Sequence, residues 1–279
     1  MPQKMLVLFR YLTYGMLIGL SHEIPLIGTK VRDARPNELP FVVSIARRAQ
    51  SNDTHFVNRH FCTGTLISRR SILTVEHCFG GLALSDIEII AGSEDVSLGD
   101  KYYPESWITY KEWKKNKKGY MEFLHHDIIV LTLEGKGVRP EIHPATILTF
   151  APTDLIRSIV RIAGWGVSID GKCPLVLKTA LTTVLCEEEC RKRASDLSRN
   201  DLLIMENYFC SSAKPGVLSS YGDSGAPILN KRKQLVGLNI GVCPNLIGFP
   251  LRYQLIYQMN LHIHLYHYRN FIKDVKITS

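Results

Sequence analysis

His125-His126-Asp127-Ile128-Ile129-Val130-Leu131 is an acidic residue opening a short, apolar, β-branched run. A run this brief, bounded by polar residues, reads as a buried strand. Similar runs recur along the chain at Phe41–Ile45, Thr65–Thr74, Ile87–Ile90, Ile159–Ala163, Ala226–Leu229 and Gln234–Ile240, and a further strand is expected at Leu261–Leu265. Gly, Pro, Asn or Asp bounds most of them, and no long helical pattern intervenes. The expectation is an all-β chain, a sandwich or a barrel. Only the end differs. Tyr268, Phe271, Ile272 and Val275 fall at i, i+3, i+4 and i+7, the stripe of an amphipathic α-helix.

The chain has 279 residues, enough for one large domain or two small ones. At that length folding buries about three quarters of the unfolded surface, so no staple is required. Hydrophobic residues at 45% and charged residues at 22% are ordinary globular values, and Gly at 20 and Pro at 13 are near average, which excludes collagen-like and low-complexity chains. The net charge of +8 is diffuse. Its densest cluster, Lys111, Lys114, Lys115, Lys117 and Lys118, accompanies no nucleic-acid motif and reads as a solvated loop, so no nucleic-acid partner is expected. Lys4, the apolar run from Met5 to Leu20 and the small residues Gly19 and Ser21 read as a secretory signal over residues 1–21, with Arg10 as an interruption. No later segment is long and apolar enough for a membrane helix, so a secreted, extracellular protein without a membrane partner is expected. The seven cysteines, Cys62, Cys78, Cys173, Cys186, Cys190, Cys210 and Cys243, include no C-x-x-C pair, which argues against zinc. A secreted chain favours disulfides, and an odd number leaves at least one thiol over.

Asp127 acquires meaning beside two other stretches. One is Leu73-Thr74-Val75-Glu76-His77-Cys78, and the other is Gly222-Asp223-Ser224-Gly225-Ala226-Pro227. A serine hydroxyl is a poor nucleophile at neutral pH. It needs a base, usually His, and the base needs an orienting carboxylate. Glycines on both sides of Ser224 let the backbone turn so that N–H groups face a developing oxyanion. Each piece alone has a bland reading: a core histidine, a strand cap, a tight turn. Together they stand in the order His, Asp, Ser, spaced by 50 and 97 residues, with room for each on its own loop. That order is neither that of subtilisin nor that of the α/β-hydrolases, and the serine lacks the G-x-S-x-G of lipases.

With these stretches the sequence resembles the trypsin/chymotrypsin-like serine protease family over nearly its whole length, as a domain spanning 26–275. Leu26-Ile27-Gly28 is similar to the mature N-terminus of that family, Pro40–Ile45 to its first barrel strand, and Cys62–Ile67 to its Cys-Gly-Gly-Ser-Leu-Ile run. Gly164-Trp165-Gly166 is similar to its Gly-Trp-Gly signature, and Tyr268–Val275 to its terminal helix. The Ser106–Tyr110 run resembles insect members. The resemblance implies two six-stranded antiparallel β-barrels and a C-terminal α-helix, with a triad in the cleft between the barrels. His77 would be the base, Asp127 the orienting acid and Ser224 the nucleophile. The N–H groups of Gly222 and Ser224 would form the oxyanion hole, and Asp223 would pair with a new α-amine on activation. Disulfides Cys62–Cys78 and Cys190–Cys210 are implied. Leu218, six residues before Ser224, would floor the specificity pocket, where its apolar side chain disfavours a substrate Arg or Lys. Neither a metal nor a cofactor is called for. The partners expected are protein or peptide substrates, together with protein inhibitors.

The sequence also departs from the family. Pro25 stands before Leu26 where a basic residue is usual, and Glu76 adjoins the base. Ser220 replaces a cysteine, which leaves Cys243 without its usual partner. Leu238-Asn239-Ile240-Gly241 replaces a Ser-Trp-Gly run, with Asn239 as a substitute hydrogen-bonding group, and Asn245–Asn260 is about ten residues longer than the family spacing. The function expected is a secreted serine endopeptidase, not trypsin-like in specificity. The alternative is a non-catalytic homologue that acts by binding protein.

Overall fold

The computed structural model of the protein describes residues 26–28, 30–49, 59–117, 126–148, 151–168, 171–197, 206–213, 216–244 and 251–278. The leader read at 1–21, Pro25, Lys118, His125 and 245–250 lie outside the described residues. In chain order the strands are β1 (Ile27–Gly28), β2 (Arg32–Asp33), β3 (Val42–Arg47), β4 (His60–Leu66), β5 (Ser71–Thr74), β6 (Ile87–Ala91), β7 (Asp100–Tyr102), β8 (Pro104–Thr109) and β9 (Ile129–Leu133), with helix α1 (Tyr110–Asn116) after β8. There follow α2 (Pro152–Leu155), β10 (Ile159–Gly164), β11 (Lys178–Val184), α3 (Glu187–Leu197), β12 (Tyr208–Ser212), β13 (Val217–Leu218), β14 (Pro227–Leu229), β15 (Leu235–Cys243), α4 (Leu251–Tyr257), β16 (Met259–His264) and α5 (Arg269–Thr278).

The expected all-β architecture with a C-terminal helix is found, with one barrel of six strands closed and the other an open, curled sheet of seven. β7-β6-β3-β4-β5-β9-β8 form one curled antiparallel sheet, a half-barrel. β10-β14-β15-β16-β12-β11 form the other, which the β10–β11 pairing closes into a six-stranded barrel, with β2 added at β11. Curling puts one face of every strand inward, and Ile45, Leu66, Ile72, Leu73, Ile89, Val130 and Leu131 are wholly buried. β9 is paired on both edges, by β5 and β8, and Ile128, Ile129, Val130, Leu131 and Leu133 are buried while Thr132 is partly exposed. Phe271, Ile272 and Val275 are buried along α5, and Tyr268 is buried at the end of the 3₁₀ turn Leu265–Tyr268 that leads into it.

Several expectations are corrected. The Thr65–Thr74 run is not one strand: a turn over Ser68–Arg70, closed by Ile67 N–H donating to Ser71 O at 2.9 Å, splits it into β4 and β5. Lys111, Lys114 and Lys115 lie on helix α1 rather than in a loop. Thr109 and Glu112 cap that helix reciprocally, with bonds of 3.1 and 2.8 Å. Its aromatic face, Tyr110 and Trp113, packs on Phe271 of α5 with ring centroids 5.6 Å apart. A helix does intervene within the second barrel. In α3 the pairs Glu187–Arg191 and Glu189–Arg193 stack at i, i+4. The strand expected at Leu261–Leu265 runs instead from Met259 to His264, preceded by α4 within the extended segment.

Candidate active site

His77 sits in a 3₁₀ turn, Glu76–Phe79, directly after β5. Val75 is fully buried and Phe79 is 6% exposed, so the turn is pinned from both ends by apolar side chains. Cys78 is bonded to Cys62 of β4, tying the turn to the sheet beneath it. With those three side chains facing in, the His77 ring faces out, 42% exposed. Asp127 is held at the head of β9 by the burial of Ile128, and its own side chain is 8% exposed. One carboxylate oxygen accepts the His77 backbone N–H at 2.8 Å, and the other meets His77 Nδ1 at 2.6 Å. A carboxylate only accepts, so Nδ1 carries a proton, and in the neutral ring Nε2 is then the nitrogen with the lone pair.

Ser224 lies in a turn held on all sides. Asp223 N–H donates to Ser220 O at 3.0 Å, Gly225 N–H to Asn239 O at 2.7 Å, and Thr63 N–H to Ser224 O at 2.8 Å. Gly222 and Gly225 have φ of +95° and +80°. A Cβ on Gly225 would lie 2.0 Å from Thr74 Oγ1, so glycine is required there for space as well as conformation. The Gly222 carbonyl accepts from Thr63 Oγ1 at 2.9 Å and from His60 Nε2 at 3.1 Å. Since Nε2 donates, His60 Nδ1 accepts, and Ser44 Oγ donates to it at 2.8 Å. Burial lowers the His60 pKa to about 4, which keeps it neutral. With that carbonyl held inward, neither the Gly222 nor the Ser224 N–H donates to another described residue. Both are left for a ligand. Neither Ser224 Oγ nor His77 Nε2 is hydrogen-bonded among the described residues.

Asp223 is wholly buried between Gly164 and Gly166, where a Cβ would come within 2.2 and 2.3 Å of its oxygens. Those clearances account for the two glycines around Trp165. Asp223 accepts from Gly166 N–H and Ser220 N–H, each at 2.9 Å, and no cation pairs with it among the described residues. Burial raises its pKa to about 7 against those two hydrogen bonds.

The departures from the family pattern have local consequences. Ser220 Oγ donates to Val167 O, a hydrogen bond where the family has a disulfide. Cys243 is a free thiol buried with Met259 and Leu185, and burial pushes its pKa up. Cys186 is also a free thiol, whereas Cys190–Cys210 is formed. Asn239 does bond where substitution was expected, but to the serine turn: its Nδ2 donates to Asp223 O at 3.0 Å. Leu218, 3% exposed, pairs with Ile27 through β13 and β1. Its neighbours are strapped by Asn260, a fully buried side chain that accepts from Ser219 N–H at 2.7 Å and donates to Val217 O at 2.8 Å.

Sequence reasoning missed His60, Thr63 and Asn260. A single His or Asn within a strand carries no local signal, and only the approach of a distant turn gives these residues their bonds.

Comparison with known proteins agrees with this geometry. The family profile Trypsin matches residues 29–258. Neutrophil elastase of Mus musculus is 24% identical over 221 residues, which cover 77% of this chain and 74% of the elastase. Among solved structures, neuropsin, a serine protease expressed in the limbic system of mouse brain, superposes with a TM-score of 0.65 at 19% identity, over 88% of this chain and 98% of its own. The last likeness speaks for the fold.

Proposed function

Since this chain belongs to the trypsin family, we propose that it is a secreted serine endopeptidase using His77, Asp127 and Ser224 as its triad. The observation that carries the reading is the 2.6 Å contact between His77 Nδ1 and Asp127, which leaves Nε2 as a base. Ser224 Oγ attacks the peptide carbonyl carbon while Nε2 takes the hydroxyl proton. The oxyanion that forms accepts from the Gly222 and Ser224 N–H groups. The C–N bond then breaks, His77 returns the proton to the leaving amine, and water hydrolyses the acyl-enzyme by the same steps.

Asp223 belongs to activation in this reading. A buried carboxyl without a cation is poorly ionised, and an α-amine released by cleavage near Leu26 would supply the missing charge. Leu26 is already fully buried beside that barrel. Removal of a leader at 1–21 is part of the same proposal. Leu218 as pocket floor favours cleavage after apolar residues such as Leu, Phe or Met. A panel of peptides varying only the residue before the scissile bond tests this, and faster cleavage after Arg or Lys refutes the assignment.

The alternative, a homologue that binds protein without cleaving it, draws on the uncompensated Asp223 and on the absent bond between Ser224 Oγ and His77 Nε2. Labelling by a fluorophosphonate probe separates the two. Processed protein that takes label at Ser224 is a peptidase, and processed protein that stays unlabelled beside a reactive control protease is not.

A further inference from the structure

A groove of ≈ 770 Å³ opens between α5 and the segment Pro144–Ile147. It shares no lining residue with the triad. One wall is cationic: Arg269, Lys273 and Lys276 stand at i, i+4 and i+7 on the helix. The other wall is apolar, built from Pro144 and Ile147, with buried Ile272 contributing beneath. No carboxylate lines the groove among the described residues. The one acid of α5, Asp274, turns elsewhere and meets Lys117 Nζ at 3.0 Å and Trp113 Nε1 at 3.2 Å. Lys273 has no ion-pair partner among the described residues. Arg269 is held in place without a carboxylate, by donation to Tyr266 O at 2.7 Å and by stacking 4.4 Å over the Tyr266 ring. An oriented guanidinium and an exposed ammonium, whose charge pulls on Asp274 without an ion pair, stand beside an apolar wall and complement an anion that also carries apolar groups.

We propose that this groove binds an extended segment of a partner protein in which acidic and apolar residues alternate. The spacing sets the conformation. At 1.5 Å rise per residue, Lys273 lies about 6 Å and Lys276 about 10 Å along the helix from Arg269. Same-side residues of an extended chain repeat about every 6.7 Å, a step that matches the interval from Arg269 to Lys273. The intervening residues point the opposite way, toward Pro144 and Ile147. A sulfated polysaccharide satisfies the cations but leaves the apolar wall unused, so the partner is a polypeptide. The net charge of +8 steers such an acidic segment inward over distances beyond contact.

The test is fluorescence anisotropy on the full chain, carried with Ser224→Ala so that no probe is cleaved. The probe is a fluorescein-labelled, end-blocked heptapeptide alternating Glu with Val. Binding is expected, weakening as salt rises. Lys273→Glu replaces an attraction with a repulsion at an exposed position and should weaken binding about tenfold with an unchanged circular dichroism spectrum. Replacing the probe's Glu by Gln, or its Val by Ser, should weaken it as well. Equal binding to the Lys273→Glu protein, equal binding of the Glu–Ser probe, or no binding of the Glu–Val probe overturns the proposal. So does a heparin fragment that binds in a Lys273-dependent way where the peptide does not. None of these outcomes depends on whether the chain is a peptidase.

Discussion

Two hydrogen bonds from one residue to one carboxylate do separate jobs at His77. The backbone bond places the turn, and the ring bond selects the tautomer. Asp127→Asn keeps the shape and loses the selection, because an amide NH₂ donating to Nδ1 moves the ring proton to Nε2, where it blocks the base. Turnover of an apolar peptide substrate should fall about 10⁴-fold. Unchanged turnover in Asp127→Asn would mean that another acid orients His77. His60 does for the Gly222 carbonyl what Asp127 does for His77: a neutral ring, fixed by Ser44, holds a peptide group in one orientation. Ser220, in place of a cysteine, donates through Oγ to Val167 O and through N–H to Asp223, two bonds that tie its turn to partners other than Cys243.

At the scale of elements, the turn Glu76–Phe79 has only four residues and cannot hold a histidine by itself. It borrows rigidity from β4 through Cys62–Cys78, whose partners are 16 residues apart. Constraining a loop of that length is worth about 3 kcal/mol in the chain-entropy account. The double variant Cys62→Ala/Cys78→Ala should therefore lower the unfolding free energy read from a urea titration by that amount, bringing the midpoint down with it, and slow labelling of Ser224. A midpoint equal to the parent's would show that Val75 and Phe79 pin the turn unaided. Helix α1 makes the converse point. Its lysines are spread over a solvated face, while the Thr109–Glu112 cap and the packing of Tyr110 and Trp113 decide that the segment is helical.

Across the whole molecule, buried titratable groups set opposing pH dependences. Burial lowers His60 to about 4, His262 to about 3 and His264 to about 4, below the 6.5 of a free histidine. Between pH 6.5 and 4 the unfolded chain takes up these protons and the folded chain does not, so stability falls as pH falls. Asp223 has the opposite sign. Its folded pKa is raised from 3.8 to about 7, so its contribution is full below pH 3.8 and is lost as pH rises toward 7. Three histidines outweigh one aspartate, and the urea midpoint should drop on acidification from pH 6.5 to 4.5. A flat midpoint over that range would contradict the buried neutral histidines. Processing should be visible in the same titration. An amine paired with Asp223 removes the loss toward pH 7, so processed protein should gain stability over unprocessed protein near neutrality.

The sequence alone was enough for the family, the all-β class and the apolar strands at Phe41–Ile45, Ile87–Ile90 and Ile128–Leu133, and it singled out the proposed triad, because these depend on side chains close together in the chain. Alternation, run length, Gly-flanked Ser224 and the Cys beside His77 are local patterns. The capping box Thr109-x-x-Glu112 was equally local, and a reading of the lysines by charge alone passed over it. Other features belong to the tertiary structure. The burial and hydrogen bonding of Asp223 depend on Gly164 and Gly166, brought to its own turn from a segment 57 residues away. The position of the Gly222 carbonyl depends on His60, 162 residues away. Asn260 braces Leu218's strand from 43 residues off. Hydrogen bonds and burial are properties of proximity in space. Where proximity in space and in sequence diverge, only the folded chain assigns a polar residue its partner.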